Sequence, residues 1–197
     1  TYKFIEKYKR ISIIGMEKNV GKTTLLNKLI ADIGKTKKLG LTSIGRDGED
    51  IDVVTNTDKP RIYVRKGSII ATGRNCLAKC DITKEILYVT DFTTPMGSIV
   101  LIRALSDGYV DIAGPSYNKQ VKIIVELMEK FGSEISIVDG ALGRKSTAIS
   151  DVSEATILST GAALSLDMLK VVEETQKTVY FLRLDEVDKN IKEKIKN

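Results

Sequence analysis

Histidine and tryptophan are absent from this 197-residue chain, and cysteine occurs only twice. Without histidine, no imidazole is present to act as a general base or a metal ligand, so chemistry built on that group is excluded. Cys76 and Cys80 stand four apart and would share a face if helical, but no third cysteine completes a metal site. Two reduced thiols are the plainer reading. No apolar run approaches the roughly 18 residues that cross a bilayer. The stretch Thr1–Arg10 alternates charge with aromatics and lacks the apolar segment of an export signal. With few cysteines and no such signal, a reducing, cytoplasmic location away from membranes is expected. Aromatic residues make up 6% and do not interleave with Arg or Lys along one strand, so base stacking has no support.

What is present is ordinary for one globular domain: 42% hydrophobic and 29% charged residues. Lys and Arg number 31 against 26 acids, a net charge of +5. The lysines are mixed with acids at both ends, Glu6 among Lys3, Lys7 and Lys9, and Asp188 and Glu193 among Lys189, Lys192, Lys194 and Lys196. That is a solvated surface more than a nucleic-acid footprint, and no DNA or RNA partner is expected.

The order of elements points to an α/β fold. Arg10–Gly15 is a short β-branched run ending in glycine, which reads as a buried strand. Leu26, Leu29, Ile30 and Ile33 then recur at helical spacing until Gly34, and Leu39–Ile44 forms a second strand. Strand, glycine loop, helix, strand is the opening of a parallel sheet. The middle differs. Arg61–Val64 and Ser68–Thr72 flank Lys66-Gly67 and read as a hairpin, and Glu85–Thr90, Ser98–Leu105 and Tyr109–Ala113 read as further strands. A β-rich antiparallel insertion at about 60–114 is therefore expected in a single domain spanning 1–197. Val121, Ile124, Val125, Met128 and Phe131 restore helical periodicity, followed by strands at Ile135–Val138 and Thr156–Ser159. A helix over Ser165–Thr175, a strand at Val179–Leu184 and a last helix carrying Val187, Ile191 and Ile195 complete the reading. That last helix has no stop signal, which suggests the front part of a longer protein.

The segment Gly15-Met16-Glu17-Lys18-Asn19-Val20-Gly21-Lys22-Thr23-Thr24 meets the needs of a phosphate-binding loop in order. A buried strand delivers it, and Gly21 lets backbone N–H groups, including those of Asn19 and Val20, curl around an anion. Lys22 can reach β- and γ-phosphates, Thr23 offers a hydroxyl to Mg²⁺, and the helix opening at Thr23 and Thr24 presents its N-terminus. The expected fold is thus a P-loop NTPase core, a mostly parallel sheet flanked by helices, with ATP and Mg²⁺ as ligands. No Asn-Lys-x-Asp motif for reading guanine follows a late strand, which disfavours GTP. The strand ending Val138-Asp139-Gly140-Ala141 places an acid where it can hold Mg²⁺ opposite Thr23; a plain Asp-Gly turn is the alternative. In Thr42–Asp52 the acid nearest the strand end, Asp47, is the choice for a metal contact, although Asp47, Glu49, Asp50 and Asp52 also suit a solvated turn. Arg144 and Lys145 suit either phosphate or the surface. Ser159-Thr160-Gly161-Ala162 ends a strand where ligands bind in open α/β sheets, though a simple strand-to-helix turn comes first. No general base is identifiable, since Glu17, Asp47 and Asp139 could each position water, and Lys22, Asp139 and Glu17 are the candidates for chemistry.

Gly15 and Gly21 are separated by five residues where the commonest loop has four, so Met16 stands where the first glycine is expected. This longer spacing, with valine before the second glycine, resembles dethiobiotin synthetase, and the resemblance implies that Glu17 helps hold the metal. The strand ending in Asp139-Gly140-Ala141 is similar to the E-G-A strand of the dethiobiotin synthetase and cobyrinate amidation families. Beyond the loop, five stretches (11–24, 41–49, 111–115, 138–146 and 158–165) resemble P-loop accessory proteins encoded beside cobalamin-dependent lysine aminomutase in amino-acid-fermenting anaerobes. That resemblance implies a nucleotide-driven reactivating role, an aminomutase or other enzyme as partner, and weak or partner-stimulated ATPase activity. A dethiobiotin-synthetase-type ligase or kinase and a non-catalytic nucleotide-binding module are the alternatives, and a homodimer is an open one.

Overall fold

The computed structural model describes residues 5–45, 51–52, 57–58, 61–140 and 152–184. Strands β1 (Arg10–Gly15) and β2 (Leu39–Ser43) enclose helix α1 (Lys22–Ile33). Two short antiparallel pairs are separate from the main sheet, β3 (Ile51–Asp52) with β4 (Thr57–Asp58), and β5 (Ile62–Val64) with β9 (Gly108–Val110). Between them in the chain come β6 (Ile69–Gly73), a 3₁₀ turn (Arg74–Lys79), β7 (Lys84–Thr94) and β8 (Gly97–Ala104). Helix α2 (Asn118–Lys130) leads into β10 (Ile135–Asp139), and β11 (Ala155–Ser159) precedes helix α3 (Met168–Leu182).

Seven strands form one sheet in the order β11-β1-β10-β2-β6-β8-β7. The run from β11 to β6 is parallel, while β8 and β7 are antiparallel to their neighbours. The chain is therefore an α/β protein with a mixed, mostly parallel sheet flanked by helices. Period-two alternation sorts its side chains. Ile11, Ile13, Leu39, Leu41, Ile135 and Ile137 pack with Leu26, Leu29, Ile30 and Ile33 of α1. On the opposite face Ile69, Ala71, Ile99, Leu101 and Val138 pack with Val121, Ile124, Val125 and Met128 of α2. Burial on both faces explains why the parallel strands read as continuous apolar runs. A two-pronged pair fixes the start of β1 to the far end of α2: Arg10 Nε and Nη2 donate to the Glu129 carboxylate at 2.7 and 2.8 Å.

Three expectations change. No hairpin forms around Lys66-Gly67, because β5 pairs with β9 and β6 pairs with β2 and β8. The β-rich middle is also less separate than an insertion: β6 joins β2 in parallel, and β8 and β7 continue the same sheet. Apolar strands with two buried faces gain more as interior members of a large sheet than as an isolated ribbon. Val179–Leu184 is not a strand; α3 runs unbroken through Leu182 and begins at Met168 rather than Ser165. Asp167 caps it by accepting from the Leu169 N–H at 2.9 Å, and Lys177 pairs with Glu173 one turn back at 2.8 Å. These local terms outweigh the β propensity of Val179, Tyr180 and Phe181. No residue of α3 is buried. The expected last helix lies outside the described residues. Cys76 in the 3₁₀ turn and Cys80 at its C-terminal cap are buried and form no disulfide, and burial pushes the Cys80 thiol up from its ordinary pKa. Among the described residues no helix is long and apolar enough to cross a membrane.

Candidate functional site

The loop between β1 and α1 lies at the carboxyl edge of the sheet, on the strand next to the β11 edge, from which the order runs one way to β10 and β2 and the other way to β11. Crevices of this kind are where open α/β sheets bind ligands. The Met16 N–H donates to the Ser159 carbonyl at 2.9 Å, which ties the loop's first residue to the end of β11. Two residues then enter the left-handed region, Asn19 at φ 59° and Gly21 at φ 85°. Such turns direct successive N–H groups to the same side and make a concavity for an anion. Helix α1 starts at once, with no side-chain cap and no acid in its first turn. Its first N–H groups therefore carry the positive end of the helix dipole without a competing side chain.

Gly21 is needed for its backbone, since no atom lies within 4 Å of where a Cβ would stand. Gly21→Ala should therefore introduce strain of about 1 kcal/mol in the loop conformation without a clash. Because the free loop can relax out of the left-handed turn and must re-enter it to bind, we expect ATP affinity to fall about fivefold in calorimetric titration, with the unfolding midpoint little changed.

Lys22 folds back over the loop. Its Nζ donates to the Glu17 carbonyl at 2.8 Å and approaches Gly15 so closely that a Cβ there would come within 2.6 Å of Nζ. Burial pushes the Lys22 pKa below its ordinary value, and the charges of Asp139 and Glu17 act against that shift. Asp139 closes β10, in register with Ile13 of β1 and Ser43 of β2. It shares strand parity with Ile135 and Ile137, which face α1, so its carboxylate stands on the α1 side where the loop lies. The Asp139 carbonyl accepts from the Ile44 N–H at 2.7 Å, and the Gly140 N–H donates to the Ile13 carbonyl at 2.9 Å.

The sequence-derived candidates thus separate. Asn19, Val20, Gly21, Lys22, Thr23 and Thr24 form one turn into α1, and Asp139 reaches Lys22 electrostatically. Thr23 is half-buried, whereas Thr24 and Asn19 are exposed. Glu17 is exposed and turned onto its own loop, its Oε1 accepting from the Lys18 N–H at 2.8 Å. Asp47, Glu49, Asp50, Arg144 and Lys145 lie outside the described residues, as does the side chain of Asp52. No group of three or more acidic or thiol side chains that could hold a metal unaided occurs among the described residues. Mg²⁺ sites built from a hydroxyl, one carboxylate and nucleotide phosphates need no such group, so the Thr23, Lys22 and Asp139 set fits Mg-nucleotide chemistry. Thr160 borders the loop through its neighbour Ser159, and its Oγ1 is 3.0 Å from Thr175 Oγ1 of α3.

The sequence predicts a strand over Tyr109–Ala113 and has 111–115 among the stretches carrying the resemblance; the strand ends at Val110, and 111–115 lies across the carboxyl ends of β6 and β2, bonded to Thr72 and Ser43. The Gly-Pro pair at Gly114-Pro115 was the available signal, since such pairs mark chain held close to other backbone.

Comparison of the chain with family models, curated proteins and solved structures finds no match to any of them. The class that the fold defines is that of α/β proteins with a mixed, mostly parallel sheet and a glycine loop at the carboxyl end of one of its parallel strands, β1.

Proposed function

We propose that the chain binds Mg-ATP at Gly15–Thr24 and acts as a nucleotide-dependent accessory factor, serving an enzyme partner such as a cobalamin-dependent aminomutase. One observation carries the nucleotide part. A left-handed turn at Asn19 and Gly21 runs into an uncapped helix whose first residue, Lys22, lies within the electrostatic reach of a strand-end carboxylate, Asp139. In this reading the loop N–H groups and Lys22 hold the phosphates, and Thr23 and Asp139 hold Mg²⁺, which neutralises phosphate charge. Glu17 serves the loop's own backbone, and Asp47 is the further metal contact the sequence nominates. Catalysis in such a site rests on positioning and charge neutralisation, so slow turnover without a partner is in keeping with it.

The accessory role rests on the resemblance of the five sequence stretches and on the β-rich half of the sheet, which offers surface beyond what nucleotide binding needs. The test is ADP release with and without a cobalamin-dependent aminomutase. Stimulation of at least tenfold by the enzyme supports the role, and identical rates overturn it. A dethiobiotin-synthetase-type ligase or kinase is favoured by the five-residue spacing between Gly15 and Gly21. In that case a small carboxylate or amine substrate stimulates ADP release with no protein present.

A further inference from the structure

Residues 111–115 (Asp-Ile-Ala-Gly-Pro) connect β9 to the approach of α2, and two hydroxyls hold them in the same way. The Thr72 hydroxyl on β6 donates to the Asp111 carbonyl at 3.0 Å and accepts from the Ala113 N–H at 2.9 Å. The Ser43 hydroxyl, at the end of β2, donates to the Ile112 carbonyl at 3.4 Å and accepts from the Gly114 N–H at 2.9 Å. Backbone bonds continue the contact on both sides, Gly73 N–H to the Ala113 carbonyl at 2.9 Å and Gly45 N–H to the Pro115 carbonyl at 3.0 Å. Ile44, between Ser43 and Gly45 in the chain, has its N–H bonded to the Asp139 carbonyl. Ala113, Gly114 and Pro115 are buried, so these bonds are shielded from competing water.

Gly114 is required by closeness. A Cβ there would overlap the Ser43 carbonyl oxygen, a backbone atom that cannot swing aside. The strap therefore lies directly on the residue that precedes Ile44. A continuous run of bonds thus links the Asp139 end of β10 to Ile44, and Ser43 and Gly45 to the strap and β6.

We infer that Ser43 and Gly114 are positioning residues that set the metal-side carboxylate Asp139 and couple it, through the 111–115 strap, to the β-rich half of the sheet. This rests on the proposed Mg-ATP reading. Neither residue touches the phosphate loop in the structure's described bonds, so their removal acts on the metal-dependent part of binding and spares the rest.

The experiment compares ATP affinity with Mg²⁺ and with EDTA for the native chain, Ser43→Ala and Gly114→Ala, alongside hydrogen exchange at the strap. For Ser43→Ala we expect metal-free affinity within about twofold of native and a Mg²⁺-dependent gain at least fivefold smaller. On adding Mg-ATP to the native chain, the Gly73 and Ala113 amides gain protection; in Ser43→Ala they do not. Gly114→Ala gives the larger loss, and if it fails to fold, Ser43→Ala decides the matter. An unchanged Mg²⁺ gain, an equal loss with and without metal, or no protection change in the native strap overturns the coupling while leaving ATP binding intact. Absence of any ATP binding by the native chain overturns both this and the proposed function.

Discussion

Lys22→Met is expected to weaken ATP binding about a hundredfold, yet leave the nucleotide-free chain as stable as before or more so at neutral pH. The binding loss follows from charge-assisted bonding to the phosphates, about 3 kcal/mol in all in a half-shielded site. The stability side follows from the Lys22 pKa, which burial depresses below its ordinary 10.5 against the opposing charges of Asp139 and Glu17. The folded chain thus holds that proton less tightly than the unfolded chain. For a depressed pKa the associated stability is complete above 10.5 and is lost as pH falls through the folded value, so the charged lysine disfavours folding at pH 7. Methionine keeps most of the stem and removes the charge. Thermal melts across pH 7 to 10 should show the variant at or above native at pH 7, with the gap closing as pH rises. A variant that melts well below native at pH 7 would show that the bond from Nζ to the Glu17 carbonyl matters more than the buried charge.

Asp139→Asn should abolish most of the metal dependence. With Mg²⁺ present the affinity gain is expected to fall at least tenfold. Without metal, ATP should bind as well as to the native chain or slightly better, because a negative charge facing the triphosphate has gone. The fold should persist, since the bonds at this strand end, Ile44 N–H to the Asp139 carbonyl and Gly140 N–H to the Ile13 carbonyl, use the backbone. Removing the carboxylate also removes a charge that raises the Lys22 pKa, so the lysine should titrate lower than in the native chain. Calorimetry with and without Mg²⁺ and NMR titration of the Lys22 side chain read both effects. Equal losses with and without metal would remove Asp139 from the metal side of the site.

Both variants act where the chain's strongest local signals converge. Gly21 followed by Lys22-Thr23-Thr24 between a β-branched strand and an amphipathic helix was legible because each requirement is local. The left-handed φ belongs to Gly21 itself, and the start of α1 is set by the residues within one turn of it. The cores of β1, β2 and β10 were legible for a similar reason: strands buried on both faces must be apolar throughout. The strand-end position of Asp139 follows from the same pattern.

Partners distant in sequence were another matter. Local pattern marked Ser68–Thr72 as a strand; only the packed sheet made it, as Ile69–Gly73, a parallel neighbour of β2 instead of one arm of a hairpin. Strand pairing depends on which edges meet, and the residues around Lys66-Gly67 suit either arrangement. The strap bonds Ser43 to Gly114 across 71 positions, a separation that no periodicity reports. At Val179–Leu184 the β-branched and aromatic residues suggested a strand, but the cap at Asp167 and the Lys177–Glu173 pair carry the helix through them. The glycine loop, the helix that follows it and the apolar parallel strands could be read from the residues, because those depend on backbone freedom and burial period within a few positions. Tertiary structure alone decided the strand order, the reach of Asp139 to Lys22 and the strap over Ser43, because each depends on segments brought together by a shared core.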